Sequence, residues 1–155
     1  MQNEIITAKI STPYGAVSVS EQNSAIVAID WRLPDSPQSS PLLEETQKQL
    51  DAYFTGTLKN FDLPLAPKGD MFQQSVCKMI YEIPYGETTT YGAIAEKLGT
   101  YGQPVGNACG GNSIPIIIPC HRVLAADGIG GYSGDGGVER KIELLKLEGG
   151  YPYLL

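Results

Sequence analysis

Three runs rich in β-branched residues, EIITAKI, AVSVS and AIVAIDW, alternate with the turn-prone pieces STPYG and EQNS in the first third of the chain. Such runs favour pleated strands, and short turns between them predict an antiparallel three-stranded meander. A loop containing Pro34, Pro37 and Pro41 follows. From Pro41 to Phe54, the apolar positions Leu42, Leu43, Leu50, Tyr53 and Phe54 mark one helix face. The Ser40-Pro41 step suits the start of that helix. FDLPLAPKGD then reads as a short extended piece and a linker. A boundary is expected near residues 65–70, dividing the chain into domains 1–66 and 67–155.

The second half begins on helical spacing. Met71, Phe72, Val76, Met79, Ile80 and Ile83 recur at intervals of three and four until Pro84 stops the run. PYGE makes a turn, and Thr89 or Thr90 can cap a helix over YGAIAEKLG that Gly99 ends. The small-residue segment PVGNACGGN predicts a second short helix, and the pair has a helix-turn-helix outline. IPIIIPCHRVL is an apolar run broken by prolines, and GIGGYSGDGG is a glycine-rich loop. VERKIELLKLEGG predicts a closing amphipathic helix with Val138, Ile142 and Leu145 on its apolar side. The fold class expected is α+β, a small sheet with one helix followed by a helical domain.

Composition narrows the setting without naming a function. The chain has 155 residues, 42% of them hydrophobic, enough for a real core. No apolar run approaches the roughly 20 residues of a membrane-spanning helix, and MQNEIITAKI lacks the pattern of a signal peptide. No membrane partner and a cytoplasmic address are therefore expected. The net charge of −6 disfavours binding through a basic stripe. The charge is uneven: residues 1–66 carry 4 basic and 8 acidic side chains, and residues 67–155 carry 7 and 9. Any nucleic-acid contact would rest on shape, backbone amides and a few placed side chains.

Three cysteines, Cys77, Cys109 and Cys120, form no regular framework, and His121 is the only histidine. Neither a disulfide scaffold nor a metal site is expected. Cys77 falls on the apolar helix and reads as core, and Cys109 as a small packing residue. Cys120-His121-Arg122 is the densest chemical signal. A thiol becomes a strong nucleophile as thiolate, a histidine can remove its proton, and a carboxylate can orient that histidine. Adjacent residues rarely face one another, so the relay needs a water or a bent backbone, and Pro119 favours a bend.

In this context IPCHRVLAADGIGGYSG resembles the active-site segment of the O6-alkylguanine-DNA alkyltransferases, the methylated-DNA–protein-cysteine methyltransferases. The resemblance runs over about residues 70–149, through MFQQSVCKMIYEIPYGETTTYGAIAEKLG, GNSIPIIIPCHRV and LLKLEGG. The N-terminal third is similar in layout to the family's ribonuclease-H-like companion domain. The resemblance implies single-turnover repair without a cofactor, in which Cys120 takes the alkyl group from O6-alkylguanine in double-stranded DNA. O4-alkylthymine is a further substrate it allows. It implies His121 as water-mediated base, Glu148 as the carboxylate orienting it, and Asn112 as the brace of the active-site turn. Tyr91 would crowd the 3′ phosphate and donate a proton to guanine N3. Tyr132, Ser133, Pro115 and Val123 would surround the flipped base, and Arg122 would tie the two halves together. Gly106 and Ala108 on the second helix would approach the minor groove, with Gln103 and Pro104 at its start. A monomer is expected.

Two features depart from that family pattern. Counting back from Cys120, GQPVG stands where Ala-Arg-Ala-Val-Gly is usual, so Gln103 replaces the arginine that fills the gap left by the flipped nucleotide. Glutamine can hydrogen-bond the orphaned base but supplies neither charge nor a stacking guanidinium. The loop after Tyr132 is about two residues longer, and Asp135 adds negative charge. Two other functions compete: a lesion-sensing DNA-binding protein that does not transfer the alkyl group, and a cysteine hydrolase using Cys120, His121 and Glu148. Stoichiometric alkylation of Cys120 separates transfer from both.

Overall fold

The computed structural model describes residues 4–132 and 136–150. Two compact units divide the chain, residues 1–68 and 69–155. In the first, β1 (Ile6–Thr12), β2 (Gly15–Gln22) and β3 (Ala25–Asp30) form an antiparallel sheet in the order β1-β2-β3. Asn23 and Ser24 both have positive φ, 53° and 63°, which gives the β2–β3 hairpin a turn whose twist matches the strands. Alternate positions Ile10, Val17, Val19 and Ile26 are buried. The helix α1 (Pro41–Phe54) covers β1 and β2, with Leu43, Leu50 and Tyr53 turned inward. Ser40 caps it by accepting a hydrogen bond from the Leu43 amide at 3.1 Å. The extended piece pairs through Leu65 with Ile26, so it lies along β3.

The second unit carries the remaining elements. In α2 (Met71–Tyr81), Asp70 caps the start and Val76, Cys77 and Ile80 are buried. This helix stops short of Ile83, because a residue preceding proline is pushed out of helical geometry. Thr90 caps α3 (Tyr91–Leu98), and Gly99 ends it at φ 70°. The helix α4 (Gly102–Gly110) begins two residues before the PVGNACGGN segment and packs on both α2 and α3. Last comes α5 (Gly137–Glu148), closed by Gly149 at φ 75°.

Two features differ from expectation. Thr89–Thr90 (β4) and Val123–Leu124 (β5) pair in parallel, Thr89 opposite Val123 and Thr90 opposite Leu124. Such a short pairing leaves no periodicity to read. The buried face of α5 is Lys141, Leu144, Leu145 and Glu148, while Val138 is exposed. The Val138–Ile142–Leu145 face expected from hydrophobicity is therefore rotated. Two charged residues point inward because each has buried partners, which an apolar pattern counts as outward.

Candidate active site

Pro119 (φ −82°, ψ 65°) turns the chain into a single 3₁₀ turn, Cys120–Arg122, before β5 begins. All three side chains are buried. Asn112 braces the approach to this turn: its Nδ2 donates to the Ile118 carbonyl at 2.8 Å, and its Oδ1 accepts from the Ile114 amide at 3.0 Å. Between those anchors Ile116 is held at φ 74°. A β-branched residue there costs on the order of 1–3 kcal/mol, sustained only by surroundings that over-determine the backbone. Pro115 and Ile116, both buried, and the Asn112 brace supply that constraint.

Behind the turn lies a buried charged cluster. Glu148 accepts from Arg122 Nε at 2.8 Å through Oε1, and from its terminal nitrogen at 2.9 Å through Oε2. Arg122 also donates to the Ile83 carbonyl at 2.6 Å. These bonds join three separate segments of the second unit. His121 Nε2 lies 2.8 Å from Glu148 Oε2. Burial holds the imidazole below its ordinary pKa of 6.5, against the hydrogen bond and charge of Glu148. A neutral ring then donates through Nε2 to the carboxylate, leaving Nδ1 as the basic nitrogen. Nδ1 is buried and has no hydrogen-bond partner among the described residues. Gly150 packs so closely on the 83–87 turn that an added Cβ would lie 2.9 Å from the Gly86 carbonyl oxygen. That contact seats the end of α5, and with it Glu148.

In front of the turn a cavity of about 380 Å³ is lined by Tyr91, Gly106, Cys109, Gly110, Cys120, Gly131 and Tyr132. Burial raises the Cys120 thiol above its ordinary value of 9.0, opposed by the Asn112 side chain and the charge of Lys141. At rest the thiol and the imidazole are thus both neutral. Cys109 is pushed up to about 12, mainly by burial, so it is a wall of the cavity rather than a second nucleophile. Tyr91 is likewise raised by burial to about 12. The φ of 75° at Gly130 fits the loop against Tyr91, where an added Cβ would come within 3.2 Å of the phenol. Burial also raises Tyr132, whose hydroxyl has no hydrogen-bond partner among the described residues.

The expected site residues separate into groups. Cys120, Tyr91, Gly106 and Tyr132 meet at the cavity, with His121, Glu148 and Asn112 behind it. Pro115 and Val123 are buried, and neither is part of the cavity's described lining. Ala108 is turned inward, because two residues past Gly106 is about 200° around a helix. It is buried, and its carbonyl accepts from Gln73 Nε2 at 2.7 Å. Gln103 is exposed and Pro104 half-buried in the first turn of α4. Ser133 and Asp135 lie outside the described residues.

One residue of the cluster was invisible to motif reasoning. Lys141 is fully buried on α5, and its Nζ donates to the Val123 carbonyl at 2.6 Å and to the Gly131 carbonyl at 2.9 Å. Its ammonium also stands 5.7 Å from the Tyr91 ring centre. Burial lowers its pKa to about 8, while the cysteines Cys120 and Cys109 pull it upward. Lys141 thus straps the glycine-rich loop to the strand after Cys120. A usable signal was its spacing of three, four and seven from Leu144, Leu145 and Glu148.

Among the described residues no group of His, Cys, Asp and Glu could hold a metal ion, and no helix is long and apolar enough to cross a membrane. Residues 71–150 match the family described as 6-O-methylguanine DNA methyltransferase, DNA binding domain. Residues 5–67 match its ribonuclease-like domain. A methylated-DNA–protein-cysteine methyltransferase of Methanosarcina acetivorans is 49% identical over 121 residues, 76% of each chain. The Methanosarcina barkeri protein of the same name is 42% identical over 90% of this chain and 94% of its own. The crystal structure of Mycobacterium tuberculosis O6-methylguanine methyltransferase superposes with TM-score 0.81 at 36% identity, covering 98% of this chain and 97% of that one. The M. tuberculosis protein solved in complex with DNA gives TM-score 0.79 at 40% identity, with 92% of each chain covered. With both units matched in order, this chain belongs to the 6-O-methylguanine DNA methyltransferase family.

Proposed function

We propose that the chain repairs DNA directly, moving a methyl or larger alkyl group from O6-alkylguanine to Cys120 in one irreversible step. The carrying observation is the arrangement around one sulfur: Cys120 faces a base-sized cavity, with a neutral histidine held by a buried carboxylate behind it. His121 takes the thiol proton through Nδ1 across a bridging water, and the sulfur attacks the alkyl carbon. The S–C bond forms as the C–O6 bond breaks, the electron pair stays on the guanine, and a proton delivered to the base completes the exchange. Tyr91, kept protonated by its raised pKa, is the donor for that proton at N3. The product is a thioether, so Cys120 is spent after one turnover.

The target carbon is inaccessible inside a duplex, so the nucleotide must rotate out into the cavity at a cost of a few kcal/mol. Duplex DNA is the partner, approached from the minor groove by α4. Gly106 and Gly110 allow close backbone contact there, and the start of the helix is suited to a phosphate. A monomer suffices, and the cytoplasm is the compartment in which its thiols stay reduced. O4-alkylthymine is a second lesion of the same chemical type. Incubation with O6-methylguanine DNA should add one methyl mass to the Cys120 peptide, in a single stoichiometric burst. Binding without that mass change would instead mark a lesion sensor, and sustained turnover of an ester would mark a hydrolase.

Gln103 bears on extraction rather than on transfer. Gln103→Arg should accelerate repair of duplex DNA more than reaction with free O6-benzylguanine. Equal acceleration of both would remove position 103 from the flipping step.

The buried imidazole also gives a pH signature. Above pH 6.5 His121 is neutral in both folded and unfolded chains and contributes nothing to pH dependence. As pH falls below 6.5, the unfolded chain takes up a proton that the folded one refuses, so stability declines. Denaturant midpoints measured across that range should fall, with a shallower slope in His121→Gln.

A further inference from the structure

Tyr101 is the most exposed aromatic among the described residues, at 68%. It occupies the N-cap position of α4 yet makes no side-chain capping bond. Serine, threonine or aspartate would serve better there, so neither capping nor packing accounts for a tyrosine. Its surroundings give it an address. The cavity-lining residues Gly106, Cys109 and Gly110 form one stripe of α4, and Gly102 and Gln103 continue that stripe toward the helix start. A Cβ on Gly102 would sit 4.0 Å from Tyr91 Cβ, and Tyr91 lines the same cavity. Tyr101 adjoins that contact. Five residues separate it from Gly106, about 7.5 Å of helix rise, or about two base-stacking intervals.

We propose that Tyr101 is the wedge that stacks in the gap left when the damaged nucleotide rotates into the cavity. The inference rests on the repair function proposed above, and its occupant is duplex DNA. An aromatic face can stack on a base of any identity, and apolar wedges hold kinked or unstacked steps open in the minor groove. Tyr101 supplies stacking area, and Gln103, exposed two residues further along, supplies hydrogen bonds to the orphaned partner base. Together they replace by two side chains what a guanidinium would do alone. The excess of acidic over basic side chains in residues 67–155, 9 against 7, is consistent with this division, because stacking requires no cation.

The test compares rates of Cys120 alkylation by duplex O6-methylguanine DNA and by free O6-benzylguanine, reading the ratio of the two. Tyr101→Ala should lower that ratio about tenfold, within the range of one lost base–aromatic stack. Tyr101→Phe should restore it, because the ring and not the hydroxyl does the stacking. Tyr81→Ala removes another exposed tyrosine, on α2, and should leave the ratio unchanged. An unchanged ratio in Tyr101→Ala, a Phe variant as impaired as Ala, or an equal fall in Tyr81→Ala would each overturn the wedge. A wild-type protein inert toward both substrates would overturn the repair reading and the wedge with it. A reactive wild type with an insensitive ratio would overturn the wedge alone.

Discussion

Glu148→Gln should lower the unfolding free energy by about 3–5 kcal/mol, the usual cost of leaving a buried charge without its partner. The carboxylate accepts two bonds from Arg122 and lies within hydrogen-bond distance of His121, all in a buried environment. Glutamine has nearly the same shape but no charge, so Arg122 is left ionised and uncompensated. The amide can also present a donor to His121 Nε2, favouring the tautomer that protonates Nδ1 and removing the base. Alkylation of Cys120 should then slow by about a hundredfold or more at temperatures where the variant remains folded. Arg122→Met in the same background separates these effects. It should recover much of the stability by removing the stranded charge, yet leave the rate low. A double variant recovering both would show that Glu148 acts on reactivity only through the fold.

Lys141→Met should do the opposite, lowering reactivity far more than stability. Methionine fills similar volume and carries no buried charge, although the Val123 and Gly131 carbonyls lose their donor. The Cys120 thiolate loses the cation that favours it, and the glycine-rich loop loses its strap. A preorganised electrostatic contact of this type is worth on the order of a hundredfold in rate. The lysine also titrates at about 8. Raising the pH through that value favours the thiolate but discharges Lys141, so the wild-type rate should bend near pH 8. Lys141→Met should rise without that bend. A similar profile for both proteins would remove Lys141 from the chemistry.

Sequence and structure agree where side-chain chemistry acts locally. The meander was legible because β-branched residues alternate with turn residues. Ser40, Thr90 and Gly99 marked helix ends because a cap depends on the residues immediately around it. The start of α4 was less distinct, since Tyr101 makes no side-chain capping bond. Cys120 and His121 could be picked out because a reactive pair lies contiguous in the chain, and the surrounding motif indicated the chemistry. The spacing of Lys141 could mark it as inward-facing, but not its purpose, which is set by two carbonyls on other segments. The rotation of α5 has the same origin: charged residues lie inside only where other segments supply partners. Cys109 could be read as a packing residue, but its place in the cavity wall depends on how α4 sits against the Cys120 turn.

The β4–β5 pairing carries a consequence for how this architecture tolerates change. Thr90 directly precedes Tyr91, and Val123 directly follows the Cys120–Arg122 turn. Two rungs of parallel ladder therefore set the spacing between the acceptor sulfur and the phenol across from it. Between Tyr91 and Cys120 the chain runs out through α3 and α4 and returns to a fixed anchor. Lengthening its α3–α4 connection costs little in chain entropy and leaves the anchor in place. One residue inserted at 89–91 or 120–124 would slip the ladder and displace one side of the site relative to the other. Tolerance to insertion should thus change abruptly at those two short segments, independently of how conservative the inserted residue is.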